Sequence, residues 1–450
     1  MRILLAQNLI HLPSHGGANR SNRLLLERLA ARGHTCTVVG PLTGALATVT
    51  GGAADAVRAL TERGATVLSD GPDAVVYTHR GVTVHAVRTP SLLPGRVRAV
   101  AAELRPDRTL VPGDDPGHVM LSAALAATPD RVVYLVHTIQ QLPFGPGAFH
   151  PSEAGTRMVR RAAAVMAVSR AAREYVRQHA GLDARVIHPQ VYGDGPFPAL
   201  GRFGRGAVTM VNPCAYKGIS ILLGLADALP AVPFLAVPTW GADRAEREQL
   251  ERRPNITVAP PVDDIDEVLR RTGVLLMPSL WDETFGYTCV EAMLRGIPVL
   301  ASDVGGLTEA KLGVPGRLPV RPVTSYLPGA GSARPLPVVP AQDLGPWREA
   351  LTALLTDRGH YEGLAAHSRA AAAAFATGLD PDAFEHYLAE PVTPPAPPAP
   401  VQPPPAPRTG ADPGADRTAV LRLLAARRAA ARHPAPDAAP TQRTEEPTPC

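Results

Sequence analysis

Short β-branched runs alternate with Ala- and Leu-rich stretches along the first half of the chain. Ile3 to Ala6 precedes a helical pattern from about Asn19 to Arg32, Thr35 to Val39 follows, and similar units lead to Val132 to Val136. Short apolar runs between helical patterns predict a parallel sheet with crossover helices. A helix near Ala162 to Ala164, a strand Val165 to Val168, a helix Ala171 to Gln178 and a strand Ala184 to His188 continue the pattern. Gly193 to Gly206 then mixes Gly, Pro and Asp without periodicity and reads as a linker. A second alternation runs through Val208 to Val211, Phe234 to Val237, Ile256 to Val258, Val274 to Met277 and Pro298 to Ala301. The expected fold class is α/β, with two tandem Rossmann-like domains and a cleft between them. Residues 1–195 form the first, joined by a return helix at about 375–390, and residues 196–374 the second. Beyond them, 391–450 is Pro/Ala-rich and expected to be disordered, with a short basic helix at 416–432.

Composition adds little to that frame and contradicts none of it. At 450 residues, two domains and a tail are the natural expectation. A 45% hydrophobic and 19% charged composition without a bilayer-length apolar run is that of a soluble protein. Met1 to Leu5 reads as a strand rather than a signal peptide, so the expected location is cytoplasmic. Cys36, Cys214, Cys289 and Cys450 form no C-x-x-C pair, which argues against a disulfide framework or a thiolate zinc site. A net charge of +4 over this length calls for no nucleic-acid groove. Among 45 basic residues only Lys217 and Lys311 are lysine, so each lysine marks a place where a compact ammonium is wanted.

Candidate chemistry gathers in the loops after strands of the second half, where open parallel sheets bind ligands. Asn212-Pro213-Cys214-Ala215-Tyr216-Lys217-Gly218 hands a strand over to a helix, and Gly218 leaves room beside Lys217 for an anion such as a diphosphate. The plain alternative is a solvated surface lysine. After Val274 to Met277 comes Glu283-Thr284-Phe285-Gly286-Tyr287-Thr288-Cys289-Val290-Glu291, two carboxylates with seven residues between them. Phe285-Gly286 brings backbone close to a ligand, the amides of Tyr287 and Thr288 open a helix, and the carboxylates suit sugar and ribose diols. Glu291 has a competing reading as a surface pair with Arg295 at i, i+4. A third loop, Ser302 to Glu309, adds Gly305-Gly306 and further free amides.

These residues resemble the donor-binding domain of family 4 retaining glycosyltransferases of the GT-B fold, whose E-x7-E motif Glu283 to Met293 matches. Pro278-Ser279, Gly296-Ile297-Pro298-Val299, Gly305-Gly306 and Glu309 fit the same pattern. The resemblance implies that Glu283 contacts the transferred sugar, Glu291 the nucleotide ribose and Lys217 the diphosphate. The family's Arg five residues before the Lys is Asn212 here, and the Asn-Pro variant resembles a subgroup rather than an inactive chain. Neutralisation of the diphosphate is then either weaker or supplied by another cation, for which Arg20 is the candidate. Gly16-Gly17 resembles the glycine loop near donor phosphates and acceptor, and His137 a histidine lining the sugar pocket, although a strand-end histidine also has a structural reading. The resemblance covers roughly residues 1 to 388.

What it implies is metal-independent, retaining transfer of a hexose-type sugar from a nucleotide-diphosphate sugar to an unidentified acceptor, with no cofactor. Asp114-Asp115 and Asp263-Asp264 read as loop acids rather than metal ligands. A dehydrogenase would want G-x-G-x-x-G after a strand with an acid about twenty residues on, which neither half supplies. A GT-B enzyme of another reaction type, an epimerase or phosphorylase, and an inactive scaffold of the same fold remain open. Expected partners are the nucleotide sugar and the acceptor, with no nucleic acid. Arg157, Arg160, Arg161 and Arg170 offer a basic surface for peripheral membrane contact, and the tail offers a docking segment.

Overall fold

The computed structural model describes residues 1–14, 16–43, 53–327 and 335–391. The proposed 416–432 helix, and all of the tail after residue 391, lie outside the described residues. Nine described strands form a first sheet: β1 (Arg2–Ala6), β2 (Thr35–Pro41), β3 (Thr66–Asp70), β4 (Ala74–His79), β5 (Val82–Val87), β6 (Arg108–Pro112), β7 (Val132–Val136), β8 (Ala164–Ala167) and β9 (Arg185–Val186). Their spatial order is β3-β4-β5-β2-β1-β6-β7-β8-β9. A second sheet has the order β12-β11-β10-β13-β14-β15, from β10 (Ala207–Val211), β11 (Phe234–Val237), β12 (Ile256–Val258), β13 (Thr272–Met277), β14 (Val299–Ser302) and β15 (Arg317–Leu318).

Side-chain alternation explains why both faces are covered. In β1, Ile3 and Leu5 pack with Leu26 and Leu29 of the Gly17–Ala31 helix, while Leu4 and Ala6 pack with Val97 and Val100 of the Leu93–Leu104 helix on the other face. All five residues of β7 are buried. The second sheet is parallel throughout.

Two expectations need amendment. The first sheet is not wholly parallel, because β4 runs antiparallel to β3 and β5. Arg80 and Gly81, with φ of 46° and 79°, form the tight β4–β5 turn whose twist favours a hairpin. The helix expected near Ala162 to Ala164 is instead Glu153–Arg160, started by Ser152, whose hydroxyl accepts from the Gly155 amide at 3.0 Å. Ala162 and Ala163 are a buried connection into β8.

Strand order locates the crevices. In the first sheet the chain leaves β1 towards β2 and later returns beside β1 as β6; in the second, β10 is flanked by β11 and β13. Carboxyl ends of β1/β6 and of β10/β13 are therefore the crossover points where loops diverge and leave space for ligands. The last described helix, Ala383–Ala389, returns to the first sheet: the Tyr387 hydroxyl donates to Val165 O at 3.2 Å and Glu385 pairs with Arg32 at 2.7 Å.

Candidate active site

At the β10/β13 crossover, Lys217 and Glu283 meet. Lys217 ends a single 3₁₀ turn, Ala215–Lys217, and its ammonium donates to Glu283 Oε1, which also accepts from the Ser279 hydroxyl. The Lys217 side chain is 19% exposed and that of Glu283 12%, so the solvated-lysine reading is set aside. The ammonium lies 4.6 Å from the Trp281 ring centroid and 6.0 Å from that of Trp240.

Glycines hold these loops together more than they open them. Gly218 has φ of 82°, and a Cβ there would lie 1.9 Å from Pro278 O, so the space expected for an anion is filled by the neighbouring crossover. Gly305 and Gly306 pack on the backbone of Glu283 and Thr284, and the Gly306 amide donates to Glu283 O at 2.6 Å. That amide, expected to be free, instead fixes the loop that carries Glu283. Asn212, with φ of 58°, accepts the Gly241 amide at 2.8 Å through Oδ1, tying the loops after β10 and β11.

Phe285 is buried and stacks on Phe375 with ring centroids 5.9 Å apart. Gly286, φ 114°, starts the helix Tyr287–Leu294, headed by the amides of Tyr287 and Thr288. Glu291 lies in its second turn and is 3% exposed. Its Oε1 is bound by the Arg20 guanidinium, which also donates to Val191 O at 2.9 Å. Burial works against the Arg20 charge, but the Glu291 carboxylate outweighs it and holds the arginine above its ordinary pKa. The competing Arg295 pair does not form: Arg295 binds Asp266 at 2.5 Å and the Glu291 main-chain oxygen at 3.2 Å.

The first sheet lends its loops to the same seam. A Cβ on Gly17 would lie 2.8 Å from the Tyr287 ring, and one on Gly16 3.7 Å from Trp240, so the glycine pair admits two aromatic rings of the second sheet's loops. His137, past the end of β7, is buried; Nε2 meets Asn22 Oδ1 at 2.8 Å, while Nδ1 has no hydrogen-bond partner. Burial drops its pKa to about 4, so the ring is neutral near pH 7. Beyond it, the Ile139 amide donates to Thr284 Oγ1 at 3.3 Å, Gln140 Nε2 to Asp282 O at 2.9 Å and the Ser169 hydroxyl to Thr284 O. Glu283 is thus bracketed on both sides by the opposite sheet.

Several sequence readings change. Glu309 accepts the amides of Arg170 and Ala171 at 2.9 and 3.4 Å, meeting the unpaired start of the Arg170–Ala180 helix. Arg170 pairs with Glu309 and Arg160 binds Ala180 O at 3.0 Å. Lys311 is wholly buried, donating to Val299 O at 2.7 Å, and burial lowers its pKa. Asp263 pairs with Arg63 at 3.3 Å, and Asp114 and Asp115 lie buried in the loop after β6. Among the described residues no three His, Cys, Asp or Glu side chains gather as around a metal ion, and no helix is long and apolar enough to cross a membrane. An aromatic wall around Lys217, made by Phe149, Tyr216, Trp240, Trp281 and Tyr326, went unread. Its signal was present: two of the three tryptophans sit in strand-end loops.

Comparison with known proteins agrees with this fold. Residues 15–191 match the family model Glycosyltransferase Family 4, and residues 242–311 match Glycosyl transferases group 1. The chain belongs to the GT-B glycosyltransferases of the family 4 type. It is 34% identical over 154 residues to a phosphatidyl-myo-inositol mannosyltransferase of Mycobacterium leprae, covering 31% of this chain and 40% of that one. It is 43% identical over 91 residues to a 2-deoxystreptamine glucosyltransferase of Streptomyces kanamyceticus, covering 19% and 23%. The chain thus spans less than half the length of these curated relatives. Its fold is similar to that of Anabaena HepE in complex with UDP and glucose, with a TM-score of 0.58 and 18% identity over 87% of this chain and all of that one.

Proposed function

We propose that the chain transfers a hexose-type unit from a UDP-sugar to a carbocyclic polyol, with retention at the anomeric carbon, without a metal ion, and in the cytoplasm. The observation that carries the reading is a double ion pair, in which each carboxylate of the E-x7-E motif holds one cation, Lys217 on Glu283 and Arg20 on Glu291. A nucleotide sugar offers every member of that set a new partner. Its diphosphate takes the ammonium and the guanidinium, and its sugar and ribose hydroxyls donate to the released carboxylates. No buried charge is left unpaired by the exchange.

As the bond from the anomeric carbon to phosphate breaks, negative charge grows on the departing oxygen, where Lys217 and Arg20 stabilise it. The acceptor hydroxyl attacks on the face the phosphate leaves, and its proton passes to the departing phosphate oxygen. Glu283, held by Ser279, orients sugar hydroxyls instead of attacking as a glycosidase carboxylate does. Neutral His137 presents Nδ1 to a hydroxyl of the same sugar. The uridine and hexose parts of the reading are supported by UDP and glucose bound in HepE, and the acceptor class by myo-inositol and 2-deoxystreptamine, both six-membered carbocycles.

A thermal-shift panel of UDP, GDP, ADP and TDP sugars tests the donor. A ligand at a hundred times its dissociation constant stabilises the native state by about 2.7 kcal/mol, and this is expected for a UDP-sugar. Stabilisation by another base alone refutes the uridine assignment, and none with any sugar nucleotide refutes the donor site.

A further inference from the structure

Glu309 lies on a path of contacts that leads from the first sheet back to Glu283, and the donor chemistry leaves this carboxylate unused. It sits on the single helical turn Leu307–Ala310, which the Gly305-Gly306 pair introduces. The Ala310 amide donates to Gly306 O at 2.9 Å, and the Gly306 amide donates to Glu283 O at 2.6 Å. On its other side Glu309 meets the Arg170–Ala180 helix of the first half. Oε2 accepts the Arg170 and Ala171 amides, while Oε1 lies 3.4 Å from Arg170 Nε and 3.2 Å from His188 Nε2. His188 is itself anchored: Nδ1 is 2.9 Å from Val168 O, and its ring centroid is 5.1 Å from that of Phe285 and 5.3 Å from that of Phe375.

We propose that Glu309 is a positioning residue, which sets the aim of Glu283 by docking the head of the Arg170–Ala180 helix onto the Gly305-Gly306 turn. This role rests on the reading of Glu283 as the group that orients the donor sugar. The first amides of a helix have no partner within it. Ser169 takes the Ala172 amide at 3.0 Å, and the two amides before it go to Glu309, so one residue from each half completes the helix head. Burial opposes a charge on Glu309, whose side chain is 6% exposed, but His188 and Arg170 outweigh it and hold the carboxyl below its ordinary pKa. An anion at a helix head is favoured by the dipole as well.

The same helix head therefore grips the motif loop from two directions. Ser169 donates directly to Thr284 O, and Glu309 acts through the turn whose amide holds Glu283 O. A displaced helix head moves the main chain of Glu283 without touching its side chain. Hydrogen bonds weaken steeply with misalignment, so the contact from Glu283 to a sugar hydroxyl is lost first. Ribose and diphosphate contacts, which belong to Glu291, Arg20 and Lys217 in that reading, persist.

Calorimetric titration of the full chain with UDP and with UDP-glucose reads the two parts of the donor separately. Glu309→Ala should leave the dissociation constant of UDP within about twofold and weaken UDP-glucose by about tenfold. Glu309→Gln keeps an acceptor for one amide but loses the charge, and should fall between. Arg170→Pro approaches from the other half. It removes one donated amide at the first helical position, where proline is tolerated, after a Ser169 that is already extended at φ −156° and ψ 163°. It should repeat the selective loss of UDP-glucose. Equal weakening of both ligands, or unchanged UDP-glucose binding in Glu309→Ala and Arg170→Pro, overturns the role. Failure of UDP or UDP-glucose to bind the native chain instead removes the donor reading itself.

Discussion

Replacing Arg20 with Ala strands Glu291 inside the protein. The Glu291 side chain is 4% exposed and Arg20 30%, and the pair joins a helix after β1 to one after β13. Breaking a buried ion pair from one side costs about 3–5 kcal/mol, and water reaching the arginine reduces this to roughly 2–3. Glu291→Gln alone leaves a cation that turns to solvent and should cost about 1 kcal/mol. The double variant removes the stranded charge, so it should be more stable than Arg20→Ala, with a coupling energy of at least about 1 kcal/mol. Urea unfolding of the four proteins without nucleotide measures it. Activity separates from stability: Arg20→Ala and the double variant should both lose about a hundredfold in kcat/KM, because the diphosphate loses a cation in either case. Additive destabilisation, or a double variant that regains turnover, refutes the exchange of partners on which the mechanism is built.

Lys217→Ala should lower kcat by about 10²–10³ with a smaller effect on KM, as loss of one charge-stabilising donor does, measured by release of nucleotide diphosphate. Chelation with EDTA should leave the initial rate unchanged, and a rate that collapses and returns with Mg²⁺ contradicts the metal-free reading. Asp114 is raised from its ordinary value to about 8, so the folded state binds more protons than the unfolded chain between pH 4 and 8 and stability falls as pH rises. Asp114→Asn should therefore match the native chain near pH 4 and exceed it at pH 8, the gap growing by about 1.4 kcal/mol per unit across that window, read from urea midpoints. His137 has the opposite sign: its depressed pKa gives stability that is present above pH 6.5 and lost as pH falls towards about 4, a slope that His137→Gln should reduce.

Local pattern carried the architecture far. Strands such as Val132 to Val136 are legible because burial on both faces demands unbroken apolar runs, and Glu283, Glu291 and Lys217 because they follow such runs directly. The β4–β5 hairpin was missed although Arg80-Gly81 signals a tight turn, since alternation alone does not state strand direction. Roles depending on distant chain were illegible. Nothing near Glu309 in sequence points to the Arg170 amide 139 residues away, and nothing beside Asp114 shows that it is buried. Gly218 was read as an opening, and the Gly306 amide as free, because a glycine looks the same in sequence whether the space beside it is empty or filled.

The loop carrying Glu283 is gripped from outside its own sheet, by the Gln140 side chain on Asp282 O, the Ser169 hydroxyl on Thr284 O and the Ile139 amide on the Thr284 hydroxyl. A chimera that grafts a foreign second half onto these first-half loops will import a new sugar-nucleotide preference only when the side chains at 140 and 169 travel with it. Exchanging the halves at the linker alone should yield folded proteins whose motif glutamate is misaimed.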